Sequence, residues 1–205
     1  MVARVWQVDG DGNVEILRAK NFDEYLMQSK FCDEADNLIA TGGFMSKIHV
    51  WDCSTESCND VASFDHSEID EGFKGLDIEW QSVKQLAVAG KSKFIYLWNL
   101  DEPGAPVRKW EAHKDCVEHI QWDPSKRLLA SCGNDSVVNI WSPEKNKPET
   151  QLNVPSGGEV MTIKWGNKVN GEDLSCLAAG CKEGMIYIFN VRQGGVTKLD
   201  ANDSQ

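Results

Sequence analysis

No run in this 205-residue chain approaches the 18 apolar residues that a membrane-crossing helix needs. The opening MVARVWQVDG lacks the apolar stretch of a secretory leader. There is no CxxC pair, and the seven cysteines are an odd number. They read as reduced thiols of a nuclear or cytosolic protein. Positive charge is scarce: Lys and Arg total 21 against 32 Asp and Glu, a net charge of −11. Binding nucleic-acid phosphates needs Lys and Arg to displace counterions, so this balance argues against it. Basic partners suit the charge by complementarity, and plain solubility explains it equally well. No G-x-S-x-G nucleophile elbow occurs.

What the chain does have is repetition. The stretch Glu111–Ser142, EAHKDCVEHIQWDPSKRLLASCGNDSVVNIWS, reads as three short strands over Cys116–Trp122, Leu128–Cys132 and Val137–Trp141. Asp123-Pro124-Ser125-Lys126 and Gly133-Asn134-Asp135 supply the turns between them. An extended run after Trp141 supplies a fourth strand. A four-stranded antiparallel sheet of about 40 residues is one blade of a β-propeller.

A lone blade cannot bury both faces, so the repeat itself is the test. The aromatic that closes the third strand recurs at Trp6, Trp51, Trp98, Trp141 and Phe189, in steps of 45, 47, 43 and 48. A first-strand Trp recurs at Trp80, Trp122 and Trp165. A small-residue strand recurs as LIATGG (38–43), LAVAG (86–90), LLASCG (128–133) and CLAAGC (176–181). Seven of these, Trp6, Trp51, Trp80, Trp98, Trp122, Trp165 and Phe189, are expected in the blade cores. The spacing predicts an all-β WD40-type propeller arc of about four blades plus half a blade, an incomplete arc of a seven- or eight-bladed ring. A small ring closed by pairing the front half-blade with the back strands is the competing geometry.

The expected division is a half-blade at 1–17 holding third and fourth strands. Repeats follow at 18–64, 65–110, 111–153 and 154–199, with a polar tail at 200–205. In the 18–64 repeat the first strand is degenerate, and an offset of 90 puts Cys32 opposite Trp122. Asn21–Tyr25 reads as a loop, and 166–173 as a polar insertion.

His113, Ser131 and Asp135 are the residue types of a hydrolase triad, yet their places favour a structural role. The stretch resembles a WD repeat, and the resemblance implies that with Trp141 they form a tetrad in which indole, hydroxyl, imidazole and carboxylate satisfy one another's buried polar groups. Counting back six from each third-strand aromatic gives Met45, Ser92, Asp135 and Glu183, and counting back ten gives Thr41, Val88, Ser131 and Ala179. One blade alone holds all four members, as suits scaffolding and not a single active site. His66 with Glu68, Asp70 and Glu71 is the one conceivable metal cluster, but a lone His without ligand spacing reads as a solvated acidic loop. His49, between Ile48 and Val50, is expected to face a neighbouring strand. No metal, cofactor or membrane partner is expected.

GLDIEWQS (75–82), HKDCVEHIQWDPSKRLLASCGNDSVVNIWS (113–142) and EVMTIKWG (159–166) stand in the order found in transducin β-like corepressor subunits, the F-box-like/WD-repeat family. The chain resembles that family over about residues 38–190. It departs from it in lacking a LisH or F-box-like region, in blade count, and in Ala112-His113 and Asp65-His66 where the family has Gly before His. The resemblance implies a non-catalytic nuclear scaffold in a histone deacetylase corepressor complex, contacting histone tails or transcription regulators. A generic WD adaptor, such as a ubiquitin-ligase substrate receptor or a cytoplasmic assembly platform, is the alternative. A propeller's loop rim is a rigid platform for peptides. The positions expected on that rim are Phe44, Lys74, Leu76, Lys91, Cys116, Glu118, Asn134, Glu159, Met161 and Lys182.

Overall fold

A computed structural model describes residues 1–44, 46–71, 73–166, 176–191 and 195–200, the last segment for its backbone only. Met45, most of the 166–173 insertion, residues 201–205 of the expected tail and the side chain of Leu76 lie outside the described residues. The architecture is all-β, a WD40-type propeller arc built from antiparallel meanders. β1 (Val2–Val8) and β2 (Val14–Asn21) pair only with each other. Four four-stranded sheets follow. The first holds β3 (Leu26–Cys32), β4 (Ala35–Gly43), β5 (Lys47–Asp52) and β6 (Asn59–Asp65). The second holds β7 (Gly75–Ser82), β8 (Gln85–Gly90), β9 (Phe94–Asn99) and β10 (Arg108–Glu111). The third holds β11 (Val117–Trp122), β12 (Leu129–Gly133), β13 (Val137–Trp141) and β14 (Thr150–Asn153). The fourth holds β15 (Val160–Trp165), β16 (Cys176–Cys181), β17 (Met185–Asn190) and β18 (Gly195–Asp200).

Several expectations need correction. β2 runs to Asn21, so residues 18–21 lie in the two-stranded sheet and not in the next repeat. Among the described residues the small closed ring is not formed, because β1–β2 and β15–β18 are separate sheets. Cys32 is not the counterpart of Trp122. Phe31 pairs with Ile39 as Trp122 pairs with Leu129 and Trp80 with Leu86, and a register shift at Phe31/Cys32 adds the extra residue. A fixed offset cannot register such a bulge.

The inner strands β3, β7, β11 and β15 lie side by side. Their aromatics stitch neighbouring sheets: the indole N–H of Trp80 donates to the Lys30 carbonyl (3.1 Å), that of Trp122 to Glu79 (3.3 Å) and that of Trp165 to Gln121 (3.0 Å). Each such bond satisfies an indole that burial would otherwise orphan. The apolar core fills the gaps between sheets. Ala40, Ile48 and Val50 meet Ile78, Trp80 and Trp98; Ala87, Ala89, Ile95 and Leu97 meet Ile120, Trp122 and Trp141. Small residues on the second strands let the backbones approach closely, and each contact hides one sheet's face in the next.

Of the seven aromatics expected in blade cores, Trp51, Trp80, Trp98, Trp122, Trp165 and Phe189 are buried. Trp6 is not: it is 55% exposed. Its cross-strand partner Ile16 is 51% exposed, so both stand open among the described residues. Phe31 is 47% exposed for a related reason, since no inner strand lies before β3.

Candidate functional site

The tetrad forms as the residue pattern requires. Trp141 Nε1 donates to Ser131 Oγ (3.0 Å), Ser131 Oγ lies 2.8 Å from His113 Nε2, and His113 Nδ1 lies 2.8 Å from Asp135 Oδ1. A carboxylate only accepts, so Nδ1–H donates to Asp135 and leaves Nε2 to accept the serine proton. Ser131 is fully buried and His113 is 4% exposed. Burial alone would push the Asp135 carboxyl up, but its bonds to His113 and to the Lys114 N–H hold it below the ordinary carboxylate range. The group ties the loop before β11 to the turn after β12.

The other sheets carry reduced versions. His66 is not part of a solvated loop: it is fully buried, stacked on Phe73 at 4.1 Å. Val88 stands where Ser131 stands, so Trp98 Nε1 donates straight to His66 Nε2 (3.2 Å), while His66 Nδ1 faces the Ser46 carbonyl at 3.3 Å. Desolvation lowers the His66 pKa to about 4, keeping the ring neutral and able to accept. Asp70 accepts the Tyr96 hydroxyl (3.0 Å). Among the described residues no group of three or more His, Cys, Asp or Glu is arranged to hold a metal. In the first four-stranded sheet Phe22 takes the His place, packed edge-on against Trp51, and the Trp51 indole N–H has no partner among the described residues. His49 faces not a strand but Glu24 Oε1, at 3.1 Å. In the fourth, Phe189 has no N–H to satisfy, so Ala179 suffices.

At the same end of the sheets lies the rim. One backbone bond repeats: Phe44 N–H to Tyr25 O (3.2 Å), Lys91 to Lys74 (3.2 Å), Asn134 to Cys116 (3.3 Å) and Lys182 to Glu159 (3.0 Å). It joins the second turn to the start of the inner strand in every blade. Gly43 and Gly133 permit it, because a Cβ there would sit 1.9 Å from the Tyr25 carbonyl oxygen and 2.3 Å from that of Cys116. One residue further along, every inner strand bulges: the register shifts across Leu26/Gln28, Gly75/Asp77, Val117/His119 and Val160/Thr162. The bulged residues are Met27, Leu76, Glu118 and Met161, and bulges re-aim side chains. Met27 and Met161 are 52% and 41% exposed.

All ten expected rim positions therefore fall on one repeating frame, with the Leu76 side chain outside the description. Phe44 is exposed under Lys74 Nζ, 4.4 Å from the ring centroid. Lys182 pairs with Glu159 at 2.8 Å. Lys91 is exposed, while Cys116, Glu118 and Asn134 are half-buried. Burial and the neighbouring Asp115 push the Cys116 thiol up. Asn134 Oδ1 is buried without a partner among the described residues. Sequence reasoning missed Tyr25 and Met27, the same two frame positions in the first four-stranded sheet; Tyr25 is 69% exposed. Transferring the frame through the Phe44–Asn134 match would have found them, had the extra residue at Cys32 been known. Trp110 was also missed. It is buried, stacks on Trp141 at 5.6 Å and donates to the Lys145 carbonyl (2.8 Å).

Below the rim the inner strands carry polar contacts from sheet to sheet. Asp77 accepts from Gln28 Nε2 (3.2 Å), from the Ile78 N–H (3.0 Å) and from the Ile120 N–H (2.7 Å). Burial nevertheless raises its pKa to about 6. His119 Nδ1 accepts the Ile163 N–H at 3.1 Å. Lys30 bonds Glu79.

Comparison with known proteins agrees with this geometry. Residues 104–142 match the family described as "WD domain, G-beta repeat". The chain is similar to the WD40 repeat-containing protein HOS15 of Arabidopsis thaliana, 34% identical over 67 residues, 33% of this chain and 11% of that protein. It is similar to the human WD repeat-containing protein 55, 30% identical over 115 residues, 55% of this chain and 27% of that protein. Among solved structures, that of Saccharomyces cerevisiae Sqt1 superposes with a TM-score of 0.77 at 18% identity, over 96% of this chain and 54% of that one. The matched part thus spans well under a third of these two relatives and about half of the solved chain. A WD repeat is thus matched at the tetrad-bearing blade, and the propeller fold is shared along the described chain.

Proposed function

We propose that the chain is a non-catalytic protein-interaction scaffold that offers its rim of turns and inner-strand bulges to peptides. The observation that carries this reading is the burial of Ser131, whose hydroxyl is already engaged by Trp141 and His113 and has no room for a substrate. A nucleophile needs exposure and an oxyanion hole. The rim has what peptide binding needs: a fixed backbone frame with side chains of mixed chemistry projecting from it. More finely, we propose a subunit of a nuclear histone deacetylase and corepressor complex, with histone tails or corepressor segments as ligands. The resemblance of residues 75–82, 113–142 and 159–166 supports this, as does a charge of −11 that favours Lys-rich peptides. Affinity purification tests it. Recovery of a deacetylase with a nuclear receptor corepressor supports the finer role, whereas other partners alone leave the adaptor role, nuclear or cytoplasmic. Turnover of an ester or amide that disappears in Ser131→Ala while the fold persists would overturn the scaffold reading.

A further inference from the structure

All seven cysteines carry free thiols, and two of them face each other across one hairpin. β5 and β6 pair antiparallel, with Trp51 opposite Asp60 and Asp52 opposite Asn59. One step further, the same register sets Cys53 opposite Cys58, at the mouth of the connecting turn. Side chains of directly opposed residues leave a sheet on the same face. Both thiols pack into the cluster around Trp51, Phe22 and Ile39. The Cys53 N–H donates to the Asn37 carbonyl on the β4 side (2.8 Å), so it points away from β6. The opposed pair is therefore of the non-hydrogen-bonded kind, whose Cα atoms stand about 4.5 Å apart with the side chains at their closest. A disulfide spans Cα separations of about 4.4–6.8 Å, which leaves room for the turn at Cys58.

The backbone of Cys58 is held on both sides. Its φ is 49°, in the left-handed region that few residues other than glycine adopt. Its N–H bonds the Thr55 carbonyl (3.2 Å), and its own carbonyl accepts Lys20 Nζ (2.6 Å). Burial raises the pKa of the Cys53 thiol, and the nearby Cys58 adds to the rise. A raised pKa slows thiolate formation without changing which sulfurs are neighbours. Cys132 and Cys181 also share a cluster, but they belong to different sheets, and stacked sheets lie about 10 Å apart with no register to oppose the two thiols.

We infer that Cys53 and Cys58 are a redox-responsive pair that closes into a disulfide and fastens the β5–β6 turn, at the end of the sheet opposite the rim. The oxidant is a small disulfide of the glutathione class. Cys53 is half-buried and Cys58 is 1% exposed, so Cys53 reacts first. Its thiolate attacks one glutathione sulfur and releases one glutathione thiolate. The Cys58 thiolate then attacks the Cys53 sulfur and releases the second. Two protein thiols are oxidised, the oxidant is reduced to two thiols, and the two protons pass to the leaving thiolates.

The folded chain, equilibrated in glutathione buffers of increasing oxidised fraction, tests this. Remaining thiols are trapped with N-ethylmaleimide, and the chain is cleaved after glutamate. Cleavage after Glu56 separates the two cysteines, so only a disulfide keeps the flanking peptides joined. Joined peptides are expected to accumulate as the buffer becomes more oxidising, to part on adding dithiothreitol, and to be absent from Cys53→Ser. The fold, and not nearness in sequence, is what favours the bond. In one buffer the oxidised-to-reduced ratio should therefore be about tenfold higher in the folded chain than in urea. By the same thermodynamic cycle the oxidised chain needs more urea to unfold. No joined peptides in oxidised glutathione alone, a ratio no higher in the folded chain than in urea, or either cysteine joined to a different one overturns the inference.

Discussion

The indole N–H of Trp98 donates to Nε2 of His66 across 3.2 Å, with no hydroxyl between them. The bond requires a neutral imidazole, and burial supplies it by lowering the His66 pKa from 6.5 to about 4. Depression of a base works in one direction. The unfolded chain takes up a proton below pH 6.5 while the folded chain waits until about pH 4. The stabilisation is therefore complete above pH 6.5 and falls as pH drops through that window, by roughly 3 kcal/mol in all. Replacing His66 with Phe should cost about 1–3 kcal/mol at pH 7, because Trp98 loses its acceptor. The gap between wild type and variant should shrink toward pH 4. Urea melts at several pH values measure it, and a gap independent of pH contradicts the neutral-histidine account.

Asp77 works in the opposite sense. Its folded pKa is raised from 3.8 to about 6, chiefly by burial, so its protonation favours the fold. That contribution is present below pH 3.8 and is lost as pH rises through 6. Asp77→Asn keeps an acceptor for the Ile120 N–H and cannot ionise. Relative to wild type it should gain stability as pH rises from 4 to 7, read from paired denaturation curves. A constant difference over that range would mean that Asp77 does not titrate there.

Ser131→Ala should lower stability by about 1–3 kcal/mol, since both Trp141 Nε1 and His113 Nε2 lose their partner in a dry site. Ser131→Thr retains the hydroxyl but adds a methyl to a fully buried position, so overpacking of about 1–3 kcal/mol is expected instead. Thermal melts rank the pair, and a neutral Ser131→Ala would contradict the tetrad's structural role.

Gly133→Ala should disrupt the rim frame more than the core. Its Cβ would approach the Cys116 carbonyl oxygen to 2.3 Å and the His113 ring to 3.3 Å, so the turn must move. Faster amide exchange at Asn134, whose N–H bonds that carbonyl, is the readout. Unchanged exchange there would contradict the packing.

Replacing Asn134 and Glu118 together, both half-buried on the rim, should weaken peptide partners without lowering the melting temperature. Isothermal titration with a partner found by affinity purification measures the loss, and binding that survives in the double variant would remove these positions from the surface.

The blade repeat was legible in the chain because two constraints act at fixed sequence distances. A strand ends where its aromatic enters the core, and a turn needs its Gly, Asn or Asp. Those distances set Trp51, Trp98, Trp141 and Phe189 in matching places, and the full tetrad in one blade. What sequence spacing could not carry was anything set by a bulge or by a missing neighbour. One extra residue at Cys32 made Phe31, not Cys32, the counterpart of Trp122. His66 read as part of a solvated loop because its partner Trp98 lies on a strand 32 residues away. Trp6 repeats Trp51 in sequence yet stands in solvent, because burial belongs to the sheet packed against a residue and not to the residue itself. Local pattern thus determined the strands, the turns and their period; only the packing of sheet on sheet decided which aromatics are covered and which polar groups find partners.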